Sequence, residues 1–291
     1  MRYGPVCSPG HPGHTNPRRD TRSGPAAPDC HTGRVQRSVV RPSPLFLGIV
    51  AATVAGGVIA AFGGYDGLKP DAMVIIGTVL LVLGGWAVSL CLHEFGHAVV
   101  AYRGGDREVY FKGYLTLDPR RYTDPVLSLV MPLILLAIGG VPLPGGAVWI
   151  NHHALRSKAV ESAVSLAGPF ANLVTGLALI GAVSAFDPAP GLATALSYLA
   201  LLQVFAFVLN ILPVPGLDGW GALEPWLPVE ARRFGAKARP WAPLVLFALI
   251  IAFRPIGKAF FDMADTVFDA FGGDSLLAAI GDRGFRFWTW L

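Results

Sequence analysis

From Leu45 onward, long apolar stretches alternate with short basic or Gly/Pro-rich breaks. Five stretches, near 45–62, 72–102, 159–185, 191–212 and 241–256, are read as membrane-crossing helices. A further apolar run, Val126 to Ile138, is short for a crossing. It is followed by Gly139-Gly140-Val141-Pro142-Leu143-Pro144-Gly145-Gly146, which breaks any helix, so region 125–150 is expected to be a re-entrant hairpin. Val109-Tyr110-Phe111-Lys112-Gly113-Tyr114-Leu115-Thr116-Leu117 has the aromatic and β-branched content of a strand, whose edge could hold an added strand. The pattern predicts an all-α polytopic membrane protein of about five to six transmembrane helices, with a small β-hairpin or re-entrant segment after the second helix.

The two ends differ from this core. Residues 1–41 are rich in Pro, Gly, Ser and Arg without periodic apolar positions, which predicts a disordered basic tail. Residues 42–256 form the polytopic membrane core, and 257–291 an amphipathic C-terminal segment. In the latter, Phe260, Phe261, Ala264, Val267, Phe268 and Phe271 alternate with Asp262, Asp265 and Asp269. An acidic polar face suits packing on the bundle better than binding an anionic membrane surface.

Composition agrees with a chain whose solvent is the lipid bilayer. Of 291 residues 53% are hydrophobic and 14% charged, and the mean hydropathy is +0.52. A soluble domain usually carries about 25% charged residues. The net charge of +4 does not imply a nucleic-acid partner, because the basic residues lie in the tail and between the apolar runs. Arg103, Arg107, Lys112, Arg120 and Arg121 follow the second stretch, Arg156 and Lys158 precede the third, and Arg232, Arg233, Lys237 and Arg239 follow the fourth. These segments and the arginine-rich N-terminus are assigned to the cytoplasmic side of a multi-pass protein of the cell membrane. The connections around Asp66 to Asp71 and Asp187 to Pro190 hold one lysine and no arginine, as an outer face requires. With three cysteines, one of them Cys91 inside an apolar helix, no disulfide framework is expected.

Within the second apolar run stands His93-Glu94-Phe95-Gly96-His97. Histidines four apart share one helix face and can reach a single Zn²⁺, with a glutamate between them placed to act on water. Ten residues separate His93 from Arg103, which puts the pair about 15 Å from the basic end of its helix. A hydrolytic zinc site normally has three protein ligands. The outstanding third candidate is Asp218, in Asn210-Ile211-Leu212-Pro213-Val214-Pro215-Gly216-Leu217-Asp218-Gly219, where prolines and glycine stop an apolar helix beside what must be protein or a wet cavity. The plainer reading makes Asp218 a helix-end residue in the headgroup layer. Cys7, His11, His14, Cys30 and His31 fit no common zinc spacing, and His152 and His153 are read as solvent-exposed.

With Gly168-Pro169-Phe170-Ala171-Asn172 as a third piece, the order and membrane setting of these motifs resemble the site-2 protease family of intramembrane zinc metalloproteases over about residues 72–222. The resemblance implies one zinc ion on His93, His97 and Asp218, with Glu94 as the catalytic acid/base. It also implies cleavage of transmembrane protein substrates in the bilayer, in regulated intramembrane proteolysis of targets such as membrane-tethered transcription regulators, anti-sigma factors or signal-peptide remnants. A neutral amide near the scissile carbonyl would stabilise developing negative charge; Asn210 and Asn172 are the candidates. The competing class is a membrane cation carrier using the same His, Asp and Glu cluster.

Overall fold

Ser43 opens the first helix: its hydroxyl accepts from the Phe46 N–H at 3.1 Å, and Pro44 supplies a first-turn residue without an N–H to satisfy. The computed structural model describes residues 42–122 and 148–289. Helix α1 (Pro44–Phe62) ends at Gly63, and a two-stranded antiparallel hairpin, β1 (Tyr65–Asp66) with β2 (Lys69–Pro70), turns the chain through Gly67 at φ 59°. Asp71 then caps α2 (Ala72–Gly104), accepting from Val74 and Gly64 N–H groups at 2.8 Å each. Those bonds hold its carboxyl below the usual range. Helix α2 stops at Gly105, whose φ of 130° suits glycine. A short α3 (Glu108–Phe111) follows α2; after residue 148 come α4 (Lys158–Phe186), capped by Ser157, and α5 (Pro190–Asn210).

These four long helices are apolar and long enough to cross a membrane. At 1.5 Å per residue, α1 and α5 reach about 30 Å, the thickness of a hydrocarbon core, whereas α2 reaches about 50 Å and must tilt or protrude. Helices α2 and α5 form the centre: 61% and 78% of their apolar windows are buried, against 22% for α1 and 28% for α4. Small residues allow the approach. A Cβ on Gly77 would lie 2.3 Å from the Ala60 nitrogen, one on Gly56 2.6 Å from that of Leu81, and one on Gly96 2.7 Å from the Ala167 carbonyl.

The helices alternate in direction, and one end collects the basic breaks. The Ser43 N–H donates to Thr116 O, and the Arg156 N–H to Gly104 O, bringing together the start of α1, the end of α2 and the start of α4. The segment after α5 joins them, its Ala222 carbonyl accepting from the Ser162 hydroxyl near the start of α4 at 2.6 Å.

Four of the five expected crossings are single helices. The fifth, 241–256, is divided between α8 (Ala242–Ala252) and a new helix, α9 (Arg254–Ala270); α8 is bent by 64° from the preceding α7 (Val229–Ala238), and that bent pair together is long and apolar enough for a fifth span. Val109–Leu117 is not a strand. It forms α3 and a 3₁₀ turn, Tyr114–Thr116, because Gly113 (φ 77°) and Leu117 (φ 53°) take left-handed conformations that break an extended run, and Val109, Tyr114 and Leu115 bury against α2. It therefore offers no extended edge for an added strand, and the hairpin among the described residues precedes α2. The candidate re-entrant region 125–150 lies outside the described residues except for 148–150, as do the tail, 1–41, and 290–291.

Helix α9 turns Phe260, Ala264 and Phe268 onto the bundle, where the rings of Phe260 and Phe205 are 6.3 Å apart. The last helix, α10 (Ser275–Phe285), lies on α5: Gly281 sits on the Thr194 carbonyl, and the buried Phe285 ring lies 5.6 Å from that of Tyr198.

Gly77→Val is expected to destabilise the bundle by about 1–3 kcal/mol by forcing α1 from α2. Thermal unfolding in detergent reads this; a melting temperature equal to the parent's would show that the close approach carries no stability.

Candidate metal centre

His93 and His97 stand one turn apart on the face of α2 that meets α4, both buried. Each ring is held by its Nδ1. His97 Nδ1 lies 2.7 Å from the Val164 carbonyl oxygen, an acceptor only, so Nδ1 carries the proton. His93 Nδ1 lies 2.5 Å from Asn172 Oδ1, and Asn172 Nδ2 donates onward to Gln203 Oε1 at 2.9 Å. Both Nε2 atoms are left with lone pairs, and they face each other at 3.1 Å.

Asp218 completes the group from the far side. After α5, Pro213 and Pro215 prevent helix continuation, Gly216 turns the chain at φ 99°, and α6 (Asp218–Leu223) restarts with Asp218 in its first turn. Asp218 Oδ2 is 3.2 Å from His93 Nε2, and Oδ1 is 3.5 Å from His97 Nε2. Oδ2 is buried without a hydrogen bond. One ligand atom from each of the three residues lies within 4.8 Å of the others.

Two imidazole lone pairs and a carboxylate converging in an apolar bundle repel one another unless a cation lies between them. Two nitrogens and one oxygen are the donor set of hydrolytic zinc sites, which keep a fourth position open. Helix α4 leaves room: a Cβ on Gly168 would come 2.2 Å from His97 Nε2 and 2.6 Å from His93 Nε2. The residues present therefore fit a zinc ion.

The centre opens into a cavity of about 240 Å³ whose wall includes Glu94, Val148, Asn210, Glu224 and Arg239. Glu94 is buried, and its Oε2 accepts from the Val148 N–H at 3.1 Å. Asn210 Nδ2 donates to Ala206 O at 2.9 Å in its own helix. Asn172 is placed differently from Asn210: both its polar atoms are engaged inside the bundle, and it is not part of the cavity wall. At the rim, His152 pairs with Glu161 at 2.9 Å with its side chain 55% exposed. Nearby, Arg120 binds both Asp118 oxygens and holds that carboxyl below its usual range. Tyr122 donates to Cys91 O, and burial pushes its hydroxyl well up.

Sequence reasoning did not name Val164 or Gln203, and it quoted Gly168 only as part of the third motif, with no role at the centre. The backbone carbonyl of Val164 leaves no trace in residue type. Gln203 did leave one, as a lone amide in an otherwise apolar stretch of α5, where a polar group demands a partner.

The bundle and this buried triad define a multi-pass membrane protein built around a hydrolytic zinc-type centre. The chain is 45% identical over 258 residues to the protein named "Putative zinc metalloprotease Rip2" of Mycolicibacterium smegmatis, spanning 88% of this chain and 98% of the relative. It is 45% identical to the protein of that name from Mycobacterium tuberculosis, over 87% of this chain and 97% of the relative. It is also 32% identical to "Putative zinc metalloprotease YwhC" of Bacillus subtilis, over 59% of this chain and 79% of the relative. No protein-family model and no solved structure matches the chain. The chain belongs to the site-2 protease family of zinc metalloproteases.

Two substitutions test the centre through metal content. Gly168→Ala should lose zinc while keeping the parent's helical content, since its methyl would occupy the space between the imidazoles. Asn172→Ala should weaken zinc binding about 10–100-fold by releasing the His93 ring. Unchanged affinity with lost proteolysis would instead place that amide at the substrate.

Proposed function

We propose that the protein is an intramembrane zinc endopeptidase that hydrolyses peptide bonds within or near transmembrane segments of other membrane proteins, in regulated intramembrane proteolysis. The observation that carries this reading is the meeting of His93, His97 and Asp218, from a membrane-length helix and the broken end of another, beside the Glu94 carboxylate in one cavity. In this reading the three residues bind one zinc ion. The protein resides in the cell membrane with its N-terminus and basic end in the cytoplasm.

When bound, zinc supplies a Lewis acid that acidifies water and polarises a carbonyl. Glu94, buried and adjoining the ligands, takes the proton from the attacking water and returns it to the leaving amine. Its bond to the Val148 N–H holds one carboxylate oxygen and leaves the other free for this exchange. Asn210 has a second amide hydrogen beyond the one given to Ala206, and directs it at the carbonyl oxygen, where negative charge develops. His93 and His97 are held to one tautomer by Asn172 and Val164, so their rings need not reorganise during the reaction. Bilayer lipid surrounds the bundle, and substrates reach the cavity as single helices that unwind locally.

A cation carrier would need a polar path from the centre to the opposite end. The intervening layer is closed by Leu81, Val82, Trp86, Leu90, Leu199, Leu202 and Phe285, and the buried polar residues beside them, Thr78, Ser89, Ser197 and Gln203, bring no carboxylate or imidazole to carry a cation onward, which counts against that alternative.

Co-expression with a panel of single-span membrane proteins tests the reading. Glu94→Gln is expected to cut cleavage by about 10²-fold or more while the purified variant retains zinc. Identical fragments from parent and variant would refute the assigned chemistry.

A further inference from the structure

Helix α7 carries exposed Arg232, Arg233 and Lys237 against one acid, Glu230. Around it, Trp226, Phe234 and Trp241 are 61%, 67% and 68% exposed. Three large aromatics exposed in and beside one ten-residue helix are unfavourable in water. They are at home at the headgroup level of a bilayer, especially beside basic residues. The chain supports that position. Directly after Trp241 it turns by 64° into α8, Ala-Pro-Leu-Val-Leu-Phe-Ala-Leu-Ile-Ile-Ala, which has no polar side chain.

The opposite side of α7 backs the segment that presents Asp218. Gly235 lies on the indole of Trp220, two residues past Asp218, so closely that a Cβ would fall 2.4 Å from the ring. Just beyond the helix, Arg239 donates to Glu224 at 2.8 Å, and both line the metal cavity. The Arg239 carbonyl and Pro243 close on Gly216, whose left-handed turn aims the chain at Asp218. A shift of α7 therefore passes through Trp220, Glu224 and Gly216 to the carboxylate ligand.

We infer that α7 is a seat for anionic phospholipid headgroups, and that its seating sets the Asp218 segment, so that proteolysis depends on anionic lipid. The coupling to proteolysis rests on the function proposed above; the lipid seat does not. A nucleic-acid polyanion would suit the charge, but not three exposed aromatics continuous with an apolar helix.

The test uses the purified full chain in vesicles of phosphatidylcholine alone or mixed with phosphatidylglycerol. It reads cleavage of a single-span substrate and, separately, the phosphatidylglycerol enrichment of lipid co-purified from mixed membranes. Arg232 borders a cleft with Glu161 and Glu224, so the variant is Arg233→Gln with Lys237→Gln. The parent is expected to cleave about fivefold faster or more with phosphatidylglycerol present, and to enrich it. The variant should lose both effects while keeping the parent's rate in phosphatidylcholine, and Arg233→Lys with Lys237→Arg should restore them. A parent without lipid preference, a variant that keeps the parent's preference, or enrichment without faster cleavage in an active protein overturns the inference. RNA oligonucleotides retained by α7 with no lipid enrichment would also overturn it. If no lipid supports cleavage, the proteolysis reading fails, and the coupling with it, while the co-purification ratio still decides whether α7 seats anionic lipid.

Discussion

Three lone-pair-bearing atoms, His93 Nε2, His97 Nε2 and an oxygen of Asp218, point at one place inside an apolar helix bundle. Without a cation this is a repulsive arrangement in a setting where screening is weak, and the rest of the fold acts to maintain it. The imidazoles cannot turn away, because Val164 and Asn172 hold their other nitrogens. The carboxylate cannot retreat into a regular helix, because two prolines and Gly216 stop α5 before α6 begins.

Close approach of backbones makes the convergence possible. Gly96 on α2 meets the Ala167 carbonyl on α4, and Gly168, one residue on, faces the imidazoles. Gly176 then leaves room for Gln203, which completes the line from His93 through Asn172 to α5. Helix α4 thus contributes no ligand, yet it sets the distance between ligands and the ring orientation. In lipid, where apolar surface gains little by leaving its solvent, such contacts and a few amide bonds hold the helices together.

The centre also sits off-middle. Because α2 is about 50 Å long, its first twenty or so residues are enough to cross a hydrocarbon core of about 30 Å, and His93 falls near the end where the basic segments gather. That places the cavity next to α6 and α7 rather than under a thick apolar layer, within reach of water from the basic end. On the other side, Trp86, Leu202 and Phe285 close the bundle. Access from one side suits hydrolysis, which needs water but no passage through the membrane.

Much of this was legible in residue order because it is local or periodic. Apolar runs long enough to cross a hydrocarbon core announce α1, α2, α4 and α5, and a four-residue spacing on a helix puts His93 and His97 on one face whatever surrounds them. A carboxylate after a proline-broken span marked Asp218, since an ionised group there needs a partner. Other features depend on groups distant in sequence or on backbone atoms that residue type does not encode. The Val164 carbonyl on His97 and the Gln203 link to Asn172 are of this kind. So is the burial of Phe285 beneath α5. The stretch Val109–Leu117 has strand-like composition, but burial of Val109, Tyr114 and Leu115 against α2 folded it into helical turns. Intrinsic strand preference is worth at most about 1 kcal/mol per residue, less than the gain from burying one large apolar side chain, so tertiary packing decided what local pattern could not.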